Sequence, residues 1–257
     1  MKHPLRTLLL AVCCGLAAAC TQRQERLKLM SYNIRNGIGI DNIQDIGRIA
    51  RVILREAPDL VALQELDSAT LRVDGRYIPG ELGRMTGMHA TFGRAIGFAG
   101  GSYGIGLLSR TEPLAVRSIP LPGREEARVL LMAEFPDYTV CITHLSLTPE
   151  DRFASLPIIR EATDTCRKPV LLAGDFNTGN AAAVLAGLGG GFRILSDTTR
   201  MTFPSDNPAV RIDYILGRGL PTSATVAESA VDHTATASDH CPLWVTLVWK
   251  RGKQPGK

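Results

Sequence analysis

Residues 27–66 set a strand, a helix and a strand in direct succession, and that order commits the chain to an α/β fold. "LKLMSYNI" alternates as a strand. In "NIQDIGRIARVILREAP", Ile43, Ile46, Ile49, Ala50, Ile53 and Leu54 form one helical stripe, with Asp41 or Asn42 as the expected N-cap and Pro58 beyond the end. "DLVALQEL" reads as a buried strand. Five short strand candidates follow at close spacing: "HATFGRAI", "YGIGLLSR", "LAVRSIPL", "ARVLLMAEF" and "YTVCITHL". "PEDRFASLPIIREATDTC" then reads as a helix that Pro157 kinks or starts. "PVLLAGDFN", "RIDYIL", residues 222–228 and "PLWVTLVW" read as strands, with a helix near "NAAAVLAGL". Strands outnumber helices, and crossovers mix with hairpins. The expectation is mixed sheets with helices outside, in a single domain over residues 27–249 followed by a tail at 250–257.

The N-terminus has a different character. "MKHPLRTLLLAVCCGLAAAC" places Lys2 and Arg6 before an apolar run and ends in small residues, the pattern of a secretory signal over residues 1–20. "AAAC" resembles a bacterial lipobox, which favours Cys20 as a lipid-bearing residue, membrane association through that lipid, and a place in the cell envelope. Plain secretion is the alternative. "TQRQER", residues 21–26, reads as a polar tether. Loss of Lys2 and Arg6 with the leader lowers the net charge from +4 to +2. A body so close to neutral lacks the broad positive surface that neutralising many nucleic-acid phosphates requires. Beyond the leader remain Cys141, Cys166 and Cys241, an odd count at scattered spacings, for which core packing is the better reading than a disulfide.

Several strands end on chemistry. "MSYNI" delivers Asn33, "VALQEL" Glu65, "CITHL" His144, and "LAGDFN" Asp175 and Asn177. "RIDYI" carries Asp213, and "ASDHCP" carries Asp239 and His240 just before the last strand. Each taken singly reads as a turn or helix cap. Together they do not, because polar groups at strand mouths sit where open α/β sheets bind ligands. Carboxylate and carboxamide oxygens are the donors that Mg2+ or Mn2+ selects. His89 and His233 are read as ordinary surface or core histidines.

"SYNI", "QE", "THL", "GDFN", "IDYI" and "SDH", in this order, resemble the endonuclease/exonuclease/phosphatase superfamily over essentially all of residues 27–249. The resemblance implies a four-layer α/β sandwich, two mixed β-sheets face to face with helices outside. It implies that Asn33 and Glu65 hold a divalent metal and that Asp239 helps bind it or orients His240 through the metal's water shell. Asp175 matches the residue that orients and deprotonates the attacking water, and Asn177 a carboxamide that steadies it. His240, paired with Asp213, matches the histidine that stabilises pentacoordinate phosphorus; His144 matches a second histidine on the phosphate or leaving group. Tyr103 matches a tyrosine that reaches the phosphate, while Ile105 stands where many relatives carry Asn. Arg35, Arg128 and Arg152 are candidate phosphate or headgroup partners, since a guanidinium fork fits phosphate oxygens. Phe203, on a loop stiffened by Pro204 and Pro208, is a candidate substrate contact.

The expected function is that of an Mg2+- or Mn2+-dependent hydrolase of a phosphodiester or phosphomonoester, such as a lipid headgroup or an inositol phosphate. The chain is expected to be a monomer. An extracellular endonuclease or exonuclease of the same family is the alternative, with nucleic acid a disfavoured partner. A catalytically inactive phosphate-binding protein on the same fold is a further one, although Glu65, Asp175, Asn177, Asp239 and His240 are all present.

Overall fold

The computed structural model describes residues 24–250. The leader, Cys20 and the tail beyond Lys250 lie outside the described residues. The first strand, β1 (Gln24–Asn33), begins inside the stretch expected as a tether, so residues 24–26 are sheet. Then come α1 (Ile46–Glu56), β2 (Leu60–Ser68), α2 (Ile78–Thr86), β3 (His89–Phe98) and β4 (Gly101–Ser109). β5 (Ala115–Leu121), β6 (Arg128–Glu134), β7 (Thr139–His144), α3 (Pro149–Asp164), β8 (Val170–Asp175) and α4 (Ala181–Leu188) follow. The last elements are β9 (Arg193–Ile194), β10 (Asp213–Arg218), β11 (Thr225–Val231) and β12 (Leu243–Lys250).

These strands make two six-stranded sheets, ordered β11-β12-β1-β2-β4-β3 and β5-β6-β7-β8-β10-β9. Each contains one parallel pair, β1 with β2 and β7 with β8, and each pair is joined through a helix, α1 or α3. The other pairings are antiparallel. Alternation along the strands divides the apolar residues between two faces. Leu29, Ala62, Leu131, Ile142, Ala173, Ile215 and Val245 meet between the sheets. On the outer face of the first sheet, Met30, Tyr32, Val61 and Leu63 pack against Ile49 and Ile53 of α1 and Leu82 of α2. On the outer face of the second, Cys141, Leu172 and Leu216 pack against Leu156 and Ile159 of α3 and Val184 of α4. The result is the four-layer sandwich, helix on sheet on sheet on helix. Each fully buried Leu, Ile or Val contributes about 1.5–3 kcal/mol.

The helices depart from the sequence reading in instructive ways. α1 starts at Ile46, because Asp45 caps it by accepting from Gly47 N at 2.7 Å. Asp41 instead pairs with Arg48 at 2.7 Å. Ile43 and Leu54 are 59% and 53% exposed, so the buried stripe is narrower than expected and includes Val52. Pro157 lies inside a continuous α3. The nine-residue α2 has no counterpart among the expected helices. Cys141 and Cys241 are free and buried, as core packing requires.

Candidate active site

The two parallel pairs end at the same edge of the sandwich. Asn33 closes β1 opposite Gln64 of β2, and His144 closes β7 opposite Asp175 of β8. Asp213 opens β10 directly across from Asp175. His240 precedes β12, which runs antiparallel to β1 with Leu243 opposite Ser31. Backbone departures aim these groups. The β2–β4 register shifts between Leu63 and Leu66, and Glu65 within that bulge takes a left-handed φ of 58°. Gly174 has φ 153°, and a Cβ there would stand 1.9 Å from the Thr143 carbonyl oxygen. Only glycine allows β8 to approach β7 so closely beside His144 and Asp175.

The side chains form one connected set. Asn33 Nδ2 donates to Glu65 Oε1 at 2.9 Å and to Asp175 Oδ2 at 3.2 Å, and lies 3.5 Å from His240 Nε2. His240 Nδ1 is 2.9 Å from Asp213 Oδ2. Asp175 Oδ2 has His144 Nε2 at 3.5 Å and His240 Nε2 at 3.7 Å. Asp175 Oδ1 accepts from the Asn177 backbone N–H at 2.8 Å, whereas the Asn177 carboxamide donates to Leu145 O. Asn177 therefore steadies Asp175 through its main chain.

Burial sets the protonation states. Desolvation, reinforced by the charge of Asp213, pushes the Asp175 carboxyl up to about 7. Burial works against the His240 cation, yet the charge and hydrogen bond of Asp213, with Asp175 and Asp239, outweigh it and raise His240 to about 10. Burial, with Arg128 and His240 nearby, holds His144 well below the usual imidazole value, so it is neutral. Burial raises the Glu65 carboxyl, and the Asp239 charge adds to the shift.

That mutual repulsion bears on a metal. Asp175, Asp213 and His240 place ligand atoms within 4.8 Å of one another, but two of the three are already joined by the Asp213–His240 bond. Glu65, Asn33 and Asp239 form the better set: hard oxygen donors, with two carboxylates whose proximity a divalent cation would relieve. The residues present fit such an ion.

The remaining candidates divide. Arg35 sits at the mouth, its backbone N–H donating to Asn33 Oδ1 at 3.1 Å and its Nε 3.5 Å from Asp239 Oδ2. Tyr103, Arg128 and His144 line one small recess with Glu126 and Ile105. Burial drives the Tyr103 hydroxyl far above its ordinary pKa. Arg128 is buried against Glu126 at 3.0 Å and Glu125 at 3.4 Å. The Arg152 guanidinium turns inward to the carbonyls of Ser146, Leu147 and Asn177, the last at 2.5 Å, so it braces the loops below Asp175. The Phe203 ring lies 4.8 Å from the His240 ring and packs on the imidazole. His89 and His233 lie outside the set, the latter exposed and 2.9 Å from Met201 O.

Sequence reasoning missed Ser238. Its Oγ donates to Asn33 O at 2.7 Å and accepts from His240 N at 3.3 Å, tying β1 to the histidine. Its place in "SDH" was the available signal. Ser205 and Thr202 were also missed; Ser205 Oγ donates to Ser238 O at 2.6 Å, Thr202 Oγ1 accepts from Asp213 N at 3.3 Å, and nothing in their loop marks them.

The model of the Endonuclease/Exonuclease/phosphatase family matches residues 30–240. No curated protein sequence matches the chain. Among solved structures, it is similar to an endonuclease/exonuclease/phosphatase from Beutenbergia cavernae DSM 12333, with 23% identity and a TM-score of 0.70 over 88% of this chain and 72% of that one. It is also similar to mannosyl-6-phosphatase Bt3783 of Bacteroides thetaiotaomicron VPI-5482, at 19% identity and TM-score 0.68, over 86% of this chain and 99% of that one. A humanized D. rerio TDP2 gives 21% identity and TM-score 0.65, over 86% and 98%. At these identities the likeness is one of fold.

Proposed function

The chain belongs to the endonuclease/exonuclease/phosphatase family and is a metal-dependent phosphoric ester hydrolase, and from that premise we propose that it is an Mg2+-dependent enzyme for small phosphoesters, working by direct attack of water. The observation that carries this reading is the shared position of Asp175. It faces an imidazole held cationic by Asp213 on one side and Asn33, bonded to Glu65, on the other.

Glu65, Asn33 and Asp239 would hold the ion. When bound, Mg2+ supplies positive charge to the phosphate oxygens. Asp175 accepts the proton of the attacking water as its oxygen bonds to phosphorus; the raised affinity of this carboxyl for a proton suits a general base. The His240 cation neutralises the phosphoryl oxygens as the ester P–O bond breaks. Neutral His144, against Asp175, is placed to meet the leaving oxygen.

Charge pairing favours a small ester over a nucleic acid. Arg35, Arg72, Arg124 and Arg128 each already lie against a carboxylate, Asp239, Asp67, Asp151 and Glu126 respectively. Arg35 and Arg128, the guanidinium groups nearest the site residues, are thus already engaged, which weakens their pull on a polyanion. The substrate in view is a lipid headgroup, an inositol phosphate or a similar compound. The signal-like leader supports a lipid-anchored or secreted enzyme of the cell envelope. The test is a panel of phosphomonoesters, phosphodiesters, lipids and DNA with Mg2+, Mn2+ or a chelator. Hydrolysis of a small ester that stops on chelation is expected; preference for DNA would overturn the substrate reading.

A further inference from the structure

The floor of the site carries two polar side chains that the fold leaves unmet. Along β2, Leu60 and Ala62 face the space between the sheets, and alternation puts Gln64 on the same face. On β1, Leu27 and Leu29 place Ser31 there likewise. In the parallel register Ser31 lies opposite Ala62 and Asn33 opposite Gln64, so the serine and the glutamine are diagonal neighbours at the foot of Asn33. Both are fully buried. Ser31 Oγ and both Gln64 Oε1 and Nε2 have no hydrogen-bond partner among the described residues. Ile105, buried on the same face, falls opposite the Gln64–Glu65 bulge and offers no polar side-chain atom.

An unpaired amide or hydroxyl in such a place has given up its bonds to water and gained none, which is strongly unfavourable. Buried groups left in this condition are met by ordered water, which typically makes about three hydrogen bonds. The small side chains of Ala62 and Ala173, one in each sheet and two residues before Gln64 and Asp175 respectively, keep the layer uncrowded there.

We propose that this floor is a hydration site in which buried water bridges Ser31 Oγ and the carboxamide of Gln64, making Gln64 a positioning residue for Asn33 and Glu65. Gln64 pairs with Asn33 across the ladder and precedes Glu65 in the bulge. A carboxamide pinned from below therefore fixes the place where β1 ends in Asn33 and the β2 bulge presents Glu65. The inference rests on the catalytic reading of Asn33 and Glu65, but the water can be observed independently of turnover.

The test combines a high-resolution crystal structure of the wild-type protein with Gln64→Met, Ser31→Ala and the double variant. Density for water within hydrogen-bond distance of both side chains is expected. Gln64→Met, which keeps the shape and removes both polar ends, should lower kcat about tenfold with KM nearly unchanged. Ser31→Ala, a milder change that keeps the strand, should lower kcat less. The double variant should be no worse than Gln64→Met alone, since both act through the same water. A dry floor, wild-type kcat in folded Gln64→Met, or additive effects of the two changes would overturn the proposal. Water in place in a wild-type protein inactive on every phosphoester would overturn the catalytic reading and, with it, the positioning role, leaving a hydration site alone.

Discussion

His240 Nδ1 lies 2.9 Å from Asp213 Oδ2, with both side chains buried. The pair commits the imidazole to the cation: its pKa of about 10 stands above the ordinary 6.5. Stability from the pair is thus fully present below about 6.5 and is lost as pH rises through 10. Asp213→Asn keeps the shape and removes the charge. Its rate should fall about 100-fold or more, with the alkaline limb of the pH–rate profile moved to lower pH. An unmoved alkaline limb would contradict the role given to Asp213.

Gly174 is the position where backbone geometry and catalysis meet. Gly174→Ala forces a Cβ to within 1.9 Å of Thr143 O at a φ of 153°. The expected cost is more than about 2 kcal/mol, read by urea unfolding, with activity falling further because His144 and Asp175 are adjacent.

Glu125 fastens the segment between β7 and α3. Its carboxylate loses solvation there, but bonds from Ser146, Leu147 N and Thr148 outweigh that loss and depress its pKa to about 2. Stability from this contact is present above about 4.5 and is lost as pH falls through 2. Glu125→Ala should therefore melt below wild type at neutral pH, and the difference should narrow in acid. A constant difference across that range would rule out the carboxylate as its source.

The pairing of Arg35, Arg72, Arg124 and Arg128 with carboxylates predicts a shallow salt response. Between about 50 and 200 mM salt, kcat/KM on a small phosphoester should change little, whereas an enzyme contacting many backbone phosphates loses affinity steeply. A steep loss would favour the nuclease reading.

Much of this site was legible because buried apolar runs announce strands, and Asn33, Glu65, His144, Asp175 and Asp213 stand in or just after such runs. Their convergence followed from two parallel crossovers ending at one edge. Other features depend on non-local geometry. The bulge that turns Glu65 exists only against β4, and Arg152 turns inward because three carbonyls converge on it. Helical periodicity gave α1 its face but not its edges, since the Asp45 cap sets the start. The short α2 was hidden because Pro79, Gly80 and Gly83 dilute its pattern.

The most direct test compares phosphate release by wild type and Asp175→Asn with saturating Mg2+, and by wild type with excess chelator. The account predicts turnover by wild type with Mg2+ alone, and its loss in the other two while the variant's melting curve shows a folded protein. Turnover that survives Asp175→Asn or full chelation would contradict it.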